Sequence, residues 1–427
     1  MRMQKRVLII SHNVLSMSSS MGKTLANFLK GIPSENIAQL YFHTEVPTTK
    51  ISTKYFRITD FDMIKKSKKE MGTVLGEADI LEGLKTERVD EGTKAQIYQY
   101  GRKRKPYMYV GRNLLWSTKK WKNEKLLKWV EDFKPDVIFF ASGDYVFPYK
   151  IATEIAKIRN IPIVTYICDD YYFVKRKSLS PLYYINRAWY KNTLKKLFSQ
   201  HKKVVSICDK ISVDYGKEFG VEAETIMTSS TLSAFGDKEE SKNIRISFLG
   251  NMGYNRHIAL KEIGQALKEV SGGKAFLDIY STENRPEIIK DLTKENGINF
   301  CGGISYNEVT EVMKNSDILV HTESMDKLNR EKVKYSVSTK IADTLSCGRC
   351  LFAYGPCDVA SIEYLIDNDC ACVVSKKEEL KEKLKHLILD FSKRENYAKK
   401  ALATAAKNHN INKNCEKFQK VLEEAVR

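Results

Sequence analysis

The sequence predicts an α/β protein built from two doubly wound, parallel-sheet domains in series. Three observations carry this. Short apolar runs alternate with amphipathic stretches, the pattern restarts after a polar linker, and 427 residues are too many for one core. Runs of four to six apolar residues separated by helical sequence read as strands buried on both faces, which means a parallel sheet covered by helices.

The strands follow in order. "RVLIIS", "IAQLYF", "DVIFFAS", "PIVTYIC" and "VVSIC" belong to the first domain, expected over 1–235. The linker "SAFGDKEESKN" follows. "IRISFLG", "AFLDIYS", "INFCGG", "DILVHTES", "CLFAYG" and "ACVVS" then belong to the second, expected over 243–405. Residues 406–427 read as a terminal helix able to pack back on the first domain. In such open sheets ligands bind beyond the carboxyl ends of the strands.

The composition excludes several classes. With 42% hydrophobic and 29% charged residues the chain is an ordinary globular one. No apolar run approaches the ~20 residues of a membrane helix. The start "MRMQKRVLIIS" has too few apolar residues for a secretory signal. Nine irregularly spaced cysteines imply reduced thiols and a cytoplasmic setting. Cys347, Cys350, Cys357, Cys370 and Cys372 could be proposed as zinc ligands, but their places at a helix end and in strands suit packing better.

Charge is unevenly placed. The net is +18, and residues 1–235 hold 40 Lys and Arg against 24 Asp and Glu. Residues 101–128 hold ten basic residues and one acid, Glu124. Tyr107, Tyr109, Leu114, Leu115, Trp116 and Trp121 stand among them, a mixture suited to an anionic membrane surface. Nucleic acid is the competing partner, but no nucleic-acid motif accompanies the charge and none is expected to bind.

The stretch "SMSSSMGKT" after the first strand imitates a phosphate-binding P-loop. The glycine that pattern requires four residues before Gly22 is Met17, so the loop cannot cradle a phosphate in that way. Residues 334–356, "KYSVSTKIADTLSCGRCLFAYGP", are more informative. Ser338 and Thr339 suit an N-cap, which puts Lys340 in the first turn of a helix. Backbone N–H groups, the helix dipole and an ammonium would then meet an anion, best matched to phosphate. Asp343, one turn on, could accept hydrogen bonds from a diol such as ribose.

This stretch resembles the second-domain signature of glycosyltransferase family 4, "P-S-K-[LI]-x-E-Y-[LM]-A-x-G-K-P". Ser338, Thr339 and Lys340 match the loop, Asp343 the glutamate that grips ribose, and Gly348 and Arg349 the "G-K". Cys350 replaces the proline, and Tyr335 falls near the first glutamate of the family's Glu pair. "ISFLGNMGYNR" is similar to the opening strand and glycine-rich turn of that domain, with Gly250 in the turn and Arg256 as the diphosphate contact. "GINFCGGISYNEVTEVMKNSDILVHTES" is similar to the block that builds the base pocket, and Glu323 at its end could reach the donor sugar.

The resemblance implies a GT-B fold, two Rossmann-like domains facing across a cleft. It implies transfer of a sugar from a nucleotide-sugar to a lipid-linked or surface-polysaccharide acceptor. The anomeric configuration would be retained, and the donor phosphate would help take the proton. Ser19, Ser20 and Gly22 would approach the donor from the first domain, with Lys23 a weaker phosphate candidate. Asp144, Asp169 and Asp170 are the candidate catalytic groups there. No metal or other cofactor is expected, because Lys340 and Arg256 supply the positive charge. The protein would work at the inner face of the cell membrane. An epimerase of the same fold is the alternative within the family.

Overall fold

The computed structural model describes residues 5–16, 20–80, 104–241 and 243–427. The chain divides into two compact units, residues 1–226 with 414–427, and residues 227–413.

In the first unit eight described strands form one sheet: β1 (Val7–Ser11), β2 (Ile37–Tyr41), β3 (Lys54–Arg57), β4 (Thr73–Leu75), β5 (Val137–Ala141), β6 (Ile163–Ile167), β7 (Lys203–Ser206) and β8 (Glu222–Thr225). Their order is β4-β3-β2-β1-β5-β6-β7-β8, and only β4 runs antiparallel, against β3. Every residue of β1, β2, β5 and β6 is buried, as a sheet covered on both faces requires. Strand order reverses between β1 and β5, so His12 and Ser142–Asp144 follow the strands that flank the switch point.

The helix Ile411–Val426 completes this unit. Phe418, Val421 and Leu422 belong to the same apolar cluster as Val7, Phe28 and Phe139. Phe418 lies 5.4 Å from the Phe28 ring and 4.6 Å from that of Phe139, centroid to centroid.

The second unit holds six described strands: β9 (Ile246–Leu249), β10 (Leu277–Tyr280), β11 (Ile298–Gly302), β12 (Ile318–Thr322), β13 (Cys350–Tyr354) and β14 (Cys372–Val374). All pairings are parallel, in the order β11-β10-β9-β12-β13-β14. The switch point lies between β9 and β12, and Gly250 and Glu323 directly follow these strands. The boundary expected at 235 falls at 226 instead. Residues 233–241 are strapped to the second unit, where Phe235 N donates to Cys347 O and the buried Arg349 donates to Gly236 O.

The segment entering this unit is fixed by a buried histidine. His409 Nδ1 lies 2.7 Å from Thr228 O, which can only accept, so Nδ1 carries the proton and Nε2 accepts from Tyr364 Oη at 2.9 Å. Burial pushes the imidazole pKa down to about 4, so the ring is neutral at pH 7. Ser230 N donates to His409 O, and Ser230 pairs with Asn410 as an isolated bridge.

Candidate functional site

In the second unit the candidate donor residues converge on the switch point. Gly250 directly follows β9, and a Cβ there would stand 3.0 Å from Phe248 and 3.6 Å from Lys340 Nζ. The Lys340 ammonium therefore reaches to the backbone of this turn. The chain then turns through Tyr254 and Asn255, both left-handed with φ of 59° and 60°, before the helix Arg256–Val270.

Arg256 Nε and Nη2 donate to Glu323 Oε2 at 3.0 and 2.8 Å, and Nη1 donates to Asn251 Oδ1 at 3.2 Å. Glu323 is 1% exposed. Burial alone would push its carboxyl up, but His321 and Arg256 outweigh burial and hold it below its ordinary value. A carboxylate so enclosed is not placed to touch a sugar. The expected sugar contact of Glu323 gives way to a different task, holding the Arg256 guanidinium at the switch point.

Lys340 has no ion-pair partner among the described residues. Its pKa is lowered, first by burial and then by the charge of Arg256, with Asp343 partly opposing. Lys340 is exposed, so an anion from solvent can reach an ammonium that the like charge of Arg256 disfavours, and would stabilise it.

The helix Lys340–Ser346 lacks the expected hydroxyl cap. Thr339 is itself in helical conformation and makes no side-chain cap bond, while Ser338 N donates to Ser361 Oγ at 3.3 Å. The loop is held from behind by buried Ser361, which also donates to Ser336 O. Asp343 Oδ1 accepts a 2.5 Å hydrogen bond from Ser230 Oγ. Gly348 turns the chain at φ 73° after this helix. Arg349 is 5% exposed and spends its fork on the carbonyls of Lys314, Gly236 and Gly348, a structural role. Cys347, Cys350, Cys370 and Cys372 lie in the apolar clusters, as their packing reading requires, whereas Cys357 is exposed.

The first unit gathers its own polar cluster beyond the carboxyl ends of its strands, and here the sequence reading missed the main members. His12, directly after β1, stacks on Tyr145 at 5.6 Å and has Arg112 Nη2 at 3.0 Å from its Nε2. Burial first, then Arg112 and His43, lowers its pKa, so the imidazole is neutral and its Nε2 accepts from the guanidinium. Arg112 Nε and Trp116 Nε1 both donate to Asp60 Oδ1, at 2.9 and 2.7 Å. The signal that could have found His12 is a histidine directly after the first strand, beside the switch point.

The three aspartates differ. Asp144 accepts from Tyr109 Oη at 2.5 Å and pairs with Arg104 at 3.4 Å. Asp169 is half-buried at the end of β6. Burial foremost, and then the charge of Asp169, raises the Tyr171 pKa. Asp170 is buried, and its two oxygens accept from the backbone N–H groups of Tyr172, Phe173 and Val174 and from Tyr215 Oη. That saturates the carboxylate and removes it from the candidate catalytic groups. It is the clamp of its own loop.

Ser20 and Gly22 lie in the first turn of the helix Ser20–Phe28, and Ser19 lies outside the described residues. Residues 101–103 of the basic stretch also lie outside them. Trp116 and Trp121 are 1% and 3% exposed, so they cannot be the membrane-inserting groups expected of them. Trp116 instead stacks on Phe147 at 4.1 Å while its indole N–H serves Asp60.

Residues 239–420 match the family model described as glycosyl transferase-like. This stretch is similar to glycosyl transferase-like domains. Solved structures extend the likeness over nearly the whole chain. Anabaena HepE in complex with UDP is 12% identical with a TM-score of 0.60, covering 98% of this chain and 100% of that one. WaaG, a glycosyltransferase involved in lipopolysaccharide biosynthesis, is 11% identical with a TM-score of 0.56, covering 97% and 99%. An E. coli trehalose-6-phosphate structure bound with UDP-2-fluoro glucose is 12% identical with a TM-score of 0.58, covering 98% and 99%. No curated protein sequence matches the chain. The chain thus has the GT-B fold, and the switch point of its second unit is lined by Gly250, Arg256, Glu323 and Lys340.

Proposed function

We propose that the protein transfers a sugar from a nucleotide-diphosphate sugar to an acceptor hydroxyl, with the donor held by the second unit. The observation that carries this is the Lys340 ammonium, without an ion-pair partner among the described residues, beside Gly250 and the clamped Arg256 in the stretch that matches the glycosyl transferase-like model. Lys340 and Arg256 take the diphosphate, Asp343 the ribose, and Ser338 and Thr339 line the approach. Ser19, Ser20 and Gly22 remain the first unit's candidates for the donor. Asp144 and Asp169 are its candidates for orienting the acceptor.

In the reaction the acceptor oxygen bonds to the anomeric carbon as the bond from that carbon to the phosphate oxygen breaks. The hydroxyl proton passes to the departing phosphate oxygen, with retention of configuration. Positive groups fixed before the reaction stabilise the charge that develops on the leaving diphosphate. No metal is needed for this, and transfer or donor hydrolysis should therefore survive EDTA. Complete loss with EDTA and rescue by manganese would return the argument to Asp169.

The acceptor we propose is a lipid-linked or surface-polysaccharide intermediate, met at the inner face of the cell membrane. No described helix is long and apolar enough to cross a membrane, and docking would rest on the surface of the first unit. The helix Pro106–Ser117 packs on the helices Asp60–Lys65 and Pro181–Gln200. Ile64, Leu114, Leu179 and Ile185 are exposed on and beside these helices, with Lys65, Lys68, Lys69 and Lys105 exposed near them. This replaces the buried tryptophans as the apolar component. The protein should sediment with vesicles containing anionic lipid and not with neutral ones. At about 1 kcal/mol per basic residue, changing those four lysines to glutamine should release it. Retention of RNA or DNA at physiological salt without lipid preference would overturn this reading.

A further inference from the structure

The hydrogen bond between Ser230 and Asp343 is not explained by the fold alone, because it spends a buried hydroxyl on a residue of the candidate donor helix. We infer that Ser230 is a positioning residue that sets the site's preference for a ribose over a deoxyribose. The inference rests on the donor reading given above.

Ser230 is itself held from three sides. Its N–H is committed to His409 O, and the preceding turn is pinned through Thr228 O by the His409 ring. Its hydroxyl oxygen accepts from Leu232 N at 3.0 Å. With that lone pair taken, the hydroxyl proton is delivered to Asp343 Oδ1. Asp343 must then be an acceptor at this oxygen. Among the described residues no other side-chain hydrogen bond or ion pair engages the carboxylate, so Oδ2 is left for a ligand.

An aspartate is one carbon shorter than glutamate and has fewer rotamers to lose, but alone it still rotates about two side-chain bonds. A bond from a fixed hydroxyl removes that freedom and holds one oxygen ready to accept from adjacent ribose hydroxyls. Hydrogen bonds to a charged group are the strong kind, and a site built to accept from a hydroxyl discriminates against the analogue lacking it.

The test is calorimetric titration of the full chain with UDP, GDP, ADP and CDP and with their 2′-deoxy counterparts. For the diphosphate that binds, the wild type should prefer the ribose form by roughly tenfold. Ser230→Ala should bring that ratio to within about threefold of one, while Ser230→Thr, which keeps the hydroxyl, restores it. Asp343→Asn gives the floor. Binding without ribose preference in the wild type, or an unchanged ratio in Ser230→Ala, would overturn the inference and leave the donor site standing. If no nucleoside diphosphate binds at all, the donor reading fails and takes this inference with it. Circular dichroism on each variant separates a folding defect, which lowers both affinities together, from a positioning defect, which moves their ratio.

Discussion

Lys340→Ala should weaken binding of the preferred nucleoside diphosphate by roughly tenfold or more and leave the affinity for the bare nucleoside almost unchanged. A charge-assisted contact to phosphate is worth about 1.5–3 kcal/mol, and each 1.4 kcal/mol is a factor of ten. The substitution is a clean probe because Lys340 has no ion-pair partner among the described residues and its pKa is already lowered by burial and Arg256. Removing it leaves no buried carboxylate stranded, so the melting temperature should stay within a degree or two. Arg256→Ala would be a poor substitute. It would leave Glu323 charged, 1% exposed and without its guanidinium, and losing one partner of such a pair costs about 3–5 kcal/mol of stability. Equal diphosphate affinity in wild type and Lys340→Ala, read by calorimetry, would remove the donor site from this helix.

The second large effect concerns stability. Phe418→Ala should destabilise the first unit by about 3–5 kcal/mol, the usual cost of deleting a fully buried aromatic ring. Phe418 has no exposed surface and packs against the rings of Phe28 and Phe139, so the cavity would open against the sheet itself. Lys417→Ala, one residue away and half exposed, should change stability by no more than ~0.5 kcal/mol. Hydrogen exchange would read the loss in β1 and β5, with β9 and β12 protected as before. A loss under ~1 kcal/mol for Phe418→Ala would mean that the helix Ile411–Val426 is not part of this core.

The strands legible in the sequence are those buried on both faces, since only there does apolar character run unbroken. In the second unit β9, β12 and β13 have such runs, while β10 and β11 are only partly buried and were read from shorter apolar pieces. The ones passed over are β4 and β8, short strands at the two edges of the sheet, and β3 beside β4; in "EAET" the charged residues that keep an edge from pairing with a neighbour also hide the strand. The residues that meet at the second unit's switch point were legible for a related reason: Gly250, Arg256 and Lys340 stand at fixed offsets from strands and helix starts. What could not be read was pairing. Glu323 at a strand end looks the same whether it faces solvent or an arginine 67 residues away. Asp170 looks catalytic until its loop is seen folded around it. Trp116 among lysines suggests a surface, and only the Phe147 ring across the fold shows otherwise.

The first unit is built from two pieces of chain that the whole of residues 227–413 separates. On the ribosome the order of synthesis therefore works against it. Its sheet emerges first with the groove on Phe28 and Phe139 uncovered, and the helix that fills the groove comes only after the second unit has been made. At ~5–20 residues per second the intervening 187 residues represent roughly 10–40 seconds of exposed apolar surface. The second unit is contiguous and can close in the meantime. Nascent chains stalled before residue 414 should accordingly recruit chaperones to the first unit, and the protein becomes self-sufficient only when Phe418 is released.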